Sequence, residues 1–400
     1  MIIKSNSHPR EAPAIASGDP STAIPKLSVM HVILSLDAGG LERVVIDLTR
    51  EGTGIGQTAS ILCIEKPGVL VAQAQAVTKV HCSAKGPGLS WAVVDRIRSI
   101  LSEVRPDVVH THQIAALLYL APISRKLTPI LVHTEHNNQF RRYRTLREKF
   151  AYFSMLVAAG PRVDRMFAVS DDARLSILNA HVIPRRKLFT VPNGINFDRF
   201  RVRKQDPALR MSLGIPDDSF VFGNIGRLDE MKRPDILVDA FAILSPEFPR
   251  SHLLLVGDGP LMVELQNQAA ALKIADRVHF TGFQPNPEQY LGMLDVFVLT
   301  SRMEGMPLAV LEAAASGVPV IASKVGGLEE MSNGGHSILL YEFGDMDALL
   351  SGLRRLVNQT EFRERLARAG REHVLTAYAA ERMARDYAHH YVQLTHPQDG

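Results

Sequence analysis

The chain has 400 residues, 46% of them hydrophobic, and a formal net charge of +3. That length exceeds what one hydrophobic core usually serves, and the apolar share excludes a disordered chain, so two compact domains are expected. The near-neutral charge gives no case for a nucleic-acid binder, and two cysteines, Cys63 and Cys82, are too few for a disulfide framework or a cysteine-based zinc site.

Residues 1–27 are rich in Ser, Pro and Ala and lack the continuous apolar stretch of a signal peptide, which predicts a loose extension. No window approaches the roughly 20 apolar residues of a membrane-crossing helix. A soluble, cytoplasmic protein is expected, free to rest on the inner face of a membrane. From Ser28 the pattern is strand, loop, helix: SVMHVILSL is short and β-branched, DAGG punctuates it, and LERVVIDLTREG has helical spacing. Similar units recur at 58–64, 107–110, 129–134 and 165–169, and the series ends in LFTVPNGINFDRF, where Pro-Asn-Gly marks a turn.

After a polar connection, RVRKQDPALRMSLGIPDDS, a second series begins. SFVFGNIG, HLLLVGDG, RVHFTG, VFVLTS and VPVIAS read as strands, with PDILVDAFAIL and LMVELQNQAAAL as helices between them. Strands alternating with helices predict parallel sheets covered on both faces, hence an α/β chain of two Rossmann-like, doubly wound lobes facing across a cleft. The expected division is 1–27 extension, 28–200 first lobe, 201–375 second lobe and 376–400 a helix packing back on the lobes. The tail over 361–394 reads as helical, with Met383, Tyr387, Tyr391 and Leu394 on one face.

Chemistry is concentrated in DVFVLTSRMEGMPLAVLEAAASGVPVIASKVGGLEE. A strand ends near Ser301, and a helix starts close to Leu308 whose first amides suit an anionic phosphate. Glu304 lies ahead of that helix and Glu312 inside it, seven residues between them. Two carboxylates so placed can hold two separate polyol groups, such as a hexose and a ribose. Taken alone, the pair reads more readily as a helix-terminus charge and a surface residue. In GNIGRLDEMKRPD, Arg227 and Lys232 follow a strand end by a few residues. Two cations can neutralise a nucleotide diphosphate without a metal, and they can also be solvated loop charges.

GGLE at 39–42, TEH at 134–136, VSDDAR, VPNGIN, GRLDEMKRPD, LLLVGDGP, EGMPLAVLEAAASG and VGGLEE together resemble family 4 of the retaining glycosyltransferases, of GT-B fold, in order and spacing from about Val29 to Asp345. The resemblance implies an acceptor lobe first and a nucleotide-sugar lobe second. It implies that Arg227 and Lys232 bind the donor diphosphate, that Glu304 contacts the transferred sugar and that Glu312 holds the ribose. It further implies that amides of Gly305, Met306, Leu308 and the Gly39–Gly40 loop surround sugar and phosphate, and that His136 lies near the anomeric carbon. His136, Glu304, Arg227 and Lys232 form the implied catalytic set. Met306 and Asn196 stand where the family often has Phe and Asp.

The implied reaction is a front-face displacement with retention, from a nucleotide-sugar donor of the UDP type to a glycan or lipid-linked acceptor in bacterial exopolysaccharide assembly. No cofactor and no metal are expected. Asp345-Met-Asp347 precedes DALLSGLRRL and reads as a helix cap, and His110 and His112 lack a further ligand in the sequence. A nicotinamide dehydrogenase fits poorly because GDGP lacks the full G-x-G-x-x-G. A nucleotide-sugar epimerase of the same fold and a non-catalytic sugar-nucleotide binder are the alternatives. Finally, QFRRYRTLREKFAYF at 139–153 interleaves basic and aromatic residues, as an interfacial helix on anionic lipid does; a solvated helix packed by its aromatic side is equally consistent.

Overall fold

The computed structural model describes residues 26–86, 91–142, 145–203 and 205–395. Up to residue 25, the expected N-terminal extension lies outside the described residues.

The first lobe is a seven-stranded sheet, formed by β1 (Ser28–Ser35), β2 (Thr58–Lys66), β3 (Lys79–Cys82), β4 (Val108–Thr111), β5 (Ile130–Glu135), β6 (Arg165–Ala168) and β7 (Leu188–Thr190), in the order β3-β2-β1-β4-β5-β6-β7. The second is a six-stranded sheet of β8 (Phe220–Ile225), β9 (Ser251–Val256), β10 (Val278–Phe280), β11 (Val296–Leu299), β12 (Val320–Ser323) and β13 (Leu339–Tyr341), in the order β10-β9-β8-β11-β12-β13. All neighbouring strands are parallel. Two Rossmann-like lobes are thus present, as the alternating pattern predicts. β3 and β13 escape the sequence reading because they are short edge strands, only partly buried along their length.

Strand alternation sends successive side chains to opposite faces. Met30 and Val32 join one core layer with Leu62, Val109 and Leu131, while Val29 joins another with Val108, Val132 and Phe167. The second layer is closed by Met383, Tyr387 and Tyr391 of the helix Ala380–Thr395, so the end of the chain returns to the first lobe.

The expected single tail helix over 361–394 is two helices, Thr360–Ala377 and Ala380–Thr395. The break has a local cause. Ile195 N donates to the Tyr378 carbonyl at 3.0 Å and Ala380 N donates to the Ile195 carbonyl at 3.0 Å, so the chain pairs with the first crossover instead of continuing its helix. Both passages between the lobes therefore run against each other. The basic-aromatic segment is also two helices, Gln139–Arg142 and Leu146–Ala159. Thr145 starts the second with a capping box: its Oγ1 accepts from Glu148 N at 3.1 Å, and Glu148 Oε2 accepts from Thr145 N at 3.0 Å.

In each sheet the strand order reverses once, between β1 and β4 and between β8 and β11. Ligands of doubly wound sheets bind outside the carboxyl ends of the strands at such reversals. The residues singled out by pattern follow these strand ends: Gly39 and Gly40 after β1, Arg227 and Lys232 after β8, and Glu304 after β11.

Candidate active site

On the second lobe, the loop after β8 is shaped by Asp229, whose Oδ1 accepts from Met231 N at 3.0 Å and Lys232 N at 3.1 Å. Thr300, just past β11, fastens this loop by donating to the carbonyls of Lys232 at 3.2 Å and Arg233 at 2.7 Å. Lys232 is thereby carried to Glu304: Nζ donates to Oε1 at 2.7 Å and to Oε2 at 2.8 Å, and Ser301 Oγ donates to Oε1 at 2.5 Å. Glu304 is buried. An ammonium has three N–H groups and a carboxylate about four acceptor positions, so the pair leaves one donor and one acceptor uncommitted.

Glu304 leads into the helix Leu308–Ala315, which begins without a side-chain cap. Its first amides keep their hydrogen-bonding capacity and partial positive charge. Facing it from the first lobe is a second uncapped helix start, Gly40–Gly54, with Gly39 as the capping residue. A β-carbon on Gly40 would stand 3.5 Å from Leu308 Cδ1, so the two helix starts meet across the cleft. One β-carbon on Gly39 would lie 2.2 Å from Glu42 Oε2, because the Glu42 carboxyl folds back over the loop. Burial pushes that carboxyl up to about 7. The sequence reading did not single out Glu42, although it stands third in the helix's first turn.

His136 enters from the end of β5. A β-carbon on Gly305 would lie 2.0 Å from the His136 carbonyl oxygen, which puts the two backbones in direct contact across the cleft. Asn193 Nδ2 donates to the Met306 carbonyl at 3.2 Å, adding a further tie between crossover and loop. His136 is buried, as a core histidine would be, yet its partner is neither His133 nor Thr134: Nε2 meets His112 Nδ1 at 3.2 Å.

Lys232, Glu304, Gly305, Met306, Leu308, Gly40 and His136 are thus gathered, with Gly39 adjoining. Two residues stand apart. Arg227 sits at the rim with 67% of its side chain exposed, 3.4 Å from Asp229. Glu312 lies within the helix and is buried, which removes the surface-residue alternative. Burial raises its carboxyl, and the positive charges of Arg43 and Arg199 oppose that rise.

Asp345 caps the helix Met346–Asn358, accepting from Ala348 N at 2.9 Å, as its sequence context predicts. His110 and His112 gain a third imidazole, His31, that spacing alone did not reveal; ligand atoms of the three lie within 4.8 Å of one another. Yet His110 meets Tyr391 at 2.6 Å through Nδ1 and Thr134 at 2.7 Å through Nε2, while His112 meets His31 at 3.0 Å and His136 at 3.2 Å. All four nitrogens of His110 and His112 are therefore engaged within the protein.

Comparison with known proteins matches the model described as Glycosyltransferase Family 4 over residues 38–199 and that described as Glycosyl transferases group 1 over residues 205–373. The UDP-Gal:alpha-D-GlcNAc-diphosphoundecaprenol alpha-1,3-galactosyltransferase of Escherichia coli is 31% identical over 267 residues, covering 65% of this chain and 68% of that protein. The N-acetyl-alpha-D-glucosaminyl L-malate synthase of Bacillus anthracis is 26% identical over 306 residues, covering 75% and 78%. Among solved structures, Anabaena HepE in complex with UDP and glucose superposes with a TM-score of 0.79 at 21% identity, over 92% of this chain and 100% of that one. Sucrose-phosphate synthase from Thermosynechococcus elongatus gives 0.80 at 21% identity, over 93% and 100%. Two parallel-sheet lobes, two matching domain models and these relatives agree: the chain belongs to the GT-B glycosyltransferases of the family 4 type.

Proposed function

We propose that this glycosyltransferase moves a sugar from a UDP-sugar onto a hydroxyl of a glycan or lipid-linked acceptor, with retention and without a metal, in bacterial polysaccharide assembly. The observation that carries the reading is the Lys232–Glu304 pair beside two uncapped helix starts. The remaining Lys232 N–H and the amides at Gly305, Met306 and Leu308 suit a diphosphate, with Arg227 closing over it from the rim. The remaining Glu304 lone pair suits a sugar hydroxyl, and buried Glu312 suits the ribose. The UDP-Gal donor of the E. coli relative, and the UDP and glucose held by Anabaena HepE, favour a uridine nucleotide.

In the reaction, the bond from the anomeric carbon to the diphosphate oxygen breaks and its electron pair leaves with the phosphate. The acceptor oxygen bonds the same face of that carbon, and its proton passes to the departing phosphate oxygen. The protein supplies position and charge stabilisation. A panel of nucleotide sugars tests the donor: a UDP-sugar at about 100 times its Kd adds about 2.7 kcal/mol to stability, seen as a raised Tm. Stabilisation by GDP-mannose alone would overturn the base assignment. The anomeric coupling in the proton NMR spectrum of the product reads retention directly, and conversion of the donor without acceptor would mark an epimerase instead.

A lipid-linked acceptor fits the surface of the helix Leu146–Ala159. Leu146, Phe150, Phe153 and Val157 are exposed by 85, 70, 37 and 49%, and their spacing of four, three and four residues makes one stripe. Tyr152, Leu156 and Ala159 bury the opposite side. Arg141, Arg142 and Arg147 stand exposed at its start, which matches an anionic bilayer surface, with the apolar stripe dipping below the headgroups. On this reading the protein works at the inner face of the membrane, although no described helix is long and apolar enough to cross one. Leu146→Ser together with Phe150→Ser is expected to weaken sedimentation with phosphatidylglycerol vesicles by about 30-fold, at roughly 1 kcal/mol per partly inserted side chain. Unchanged binding, or binding lost in favour of a concentration-dependent dimer, would remove the bilayer as the occupant.

A further inference from the structure

Behind His136 lies a row of imidazoles. His31 of β1 meets His112 through Nδ1···Nε2 at 3.0 Å, and His112 meets His136 through Nδ1···Nε2 at 3.2 Å. All three rings are buried. His110 packs on His112 with ring centroids 4.0 Å apart and is itself held by Tyr391 at 2.6 Å. Tyr387 meets Thr134 at 3.0 Å, and Thr134 meets His110 at 2.7 Å, so the C-terminal helix clamps the whole layer.

The proton count in this row is constrained. Each nitrogen-to-nitrogen contact needs one N–H and one lone pair. Burial holds His31 down at about 3 and His136 at about 4, and His112 well below the ordinary imidazole range, so all three rings are neutral at physiological pH. Three neutral rings carry three protons; two lie in the contacts and the third sits at one end. The row has only two arrangements. In one, His136 keeps its proton on Nδ1; in the other, on Nε2, with Nδ1 a lone pair. Either arrangement engages both nitrogens of His112, which orients its ring between the other two.

We infer that His112 is a positioning residue for sugar transfer: gripped between His31 and His136, it holds the ring plane of His136 and ties the tautomer that His136 presents at the site to that of His31. The inference rests on the reading that His136 acts in the reaction. The role is that of an outer partner holding a functional imidazole in one tautomer, whose loss typically costs ten-fold or more in activity.

The test uses the full chain labelled with 15N-histidine, long-range proton–nitrogen correlation to read each ring's tautomer, and release of nucleoside diphosphate from UDP-glucose, UDP-galactose, UDP-N-acetylglucosamine and GDP-mannose. In the unsubstituted protein His136 shows one tautomer. His112→Phe fills the same space without nitrogens; His136 is expected to show averaged nitrogen signals and kcat to fall about tenfold, with the affinity for UDP within about twofold because His112 touches no phosphate-binding group. His112→Gln, which can still pair with His136, restores part of kcat. Should His112→Phe fail to fold, His31→Phe breaks only the outer contact, with the same mixing of His136 tautomers and a smaller loss. Wild-type kcat or an unchanged His136 tautomer in the folded variant overturns the inference. His136→Ala separates the two readings: full turnover there overturns the role of His136 itself, whereas loss there with wild-type kcat in His112→Phe overturns only the positioning role.

Discussion

Lys232→Ala lowers kcat/KM by about 1,000-fold, the scale of removing a group that stabilises developing charge in a water-poor site, and Glu304→Gln lowers it by a similar factor, while both chains stay folded. The argument starts from the hydrogen-bond count. Lys232 Nζ spends two N–H groups on Glu304, at 2.7 and 2.8 Å, and Ser301 Oγ takes a further position at 2.5 Å. The carboxylate is therefore held by a cation and a hydroxyl, with one lone pair to give. Charge grows on the diphosphate only as its bond to the sugar breaks, so a fixed ammonium gains most in the transition state. With alanine at 232 the carboxylate keeps Ser301 but loses its cation, and the diphosphate loses a charge-assisted partner. With glutamine at 304 the shape survives, but one oxygen becomes a donor and Lys232 turns away from the sugar. Stability falls less than for a sealed ion pair because the Lys232 side chain retains 28% exposure and water can enter. Circular-dichroism melting beside turnover of a UDP-sugar separates the two effects. Near-normal turnover in both variants would sink the assignment of this pair to the donor.

The two lobes and the second-lobe loop were legible in the sequence because each strand end carries its own punctuation. Arg227, Lys232, Glu304 and Glu312 lie within a few residues of a strand or a helix start, so local pattern locates them; the role of Arg227 came from the family resemblance, since its exposed side chain states nothing by itself. The histidine row was not legible. His31 and His112 are 81 positions apart and His112 and His136 are 24 apart, and only the order β1-β4-β5 makes them neighbours. The helix Leu146–Ala159 was ambiguous for a different reason: it is apolar on two sides, and sequence cannot tell which side meets the core. Tyr152 settles it, donating to Glu135 Oε2 at 2.9 Å from the buried side and leaving Phe150 and Phe153 outward. Pairing of residues 378–380 with Ile195 ends a helix that periodicity would have continued, because a backbone partner outcompetes propensity.

Gly305→Ala is expected to cost about 100-fold in kcat/KM, the usual penalty for displacing reacting groups by about 1 Å, with both lobes still folded. Gly305 follows Glu304 directly, and the β-carbon of an alanine there would stand 2.0 Å from the His136 carbonyl oxygen and 3.2 Å from Asn137 Cα. Those are backbone atoms of the opposite lobe, which cannot swing aside as a flexible side chain could. Neither sheet need unfold to relieve the clash. The lobes separate instead, carrying Gly40 away from Leu308 and His136 away from Glu304, so the groups that must meet one sugar no longer do. Gly54→Ala is the control: that β-carbon meets nothing within 4 Å and lies in the helix Gly40–Gly54, where alanine is expected to be neutral or to stabilise by about 0.5–1 kcal/mol. The measurement is steady-state turnover together with small-angle scattering, which reads lobe separation. Full turnover in Gly305→Ala would mean that the lobes do not need to meet at this point, and that the sugar is held by one lobe alone.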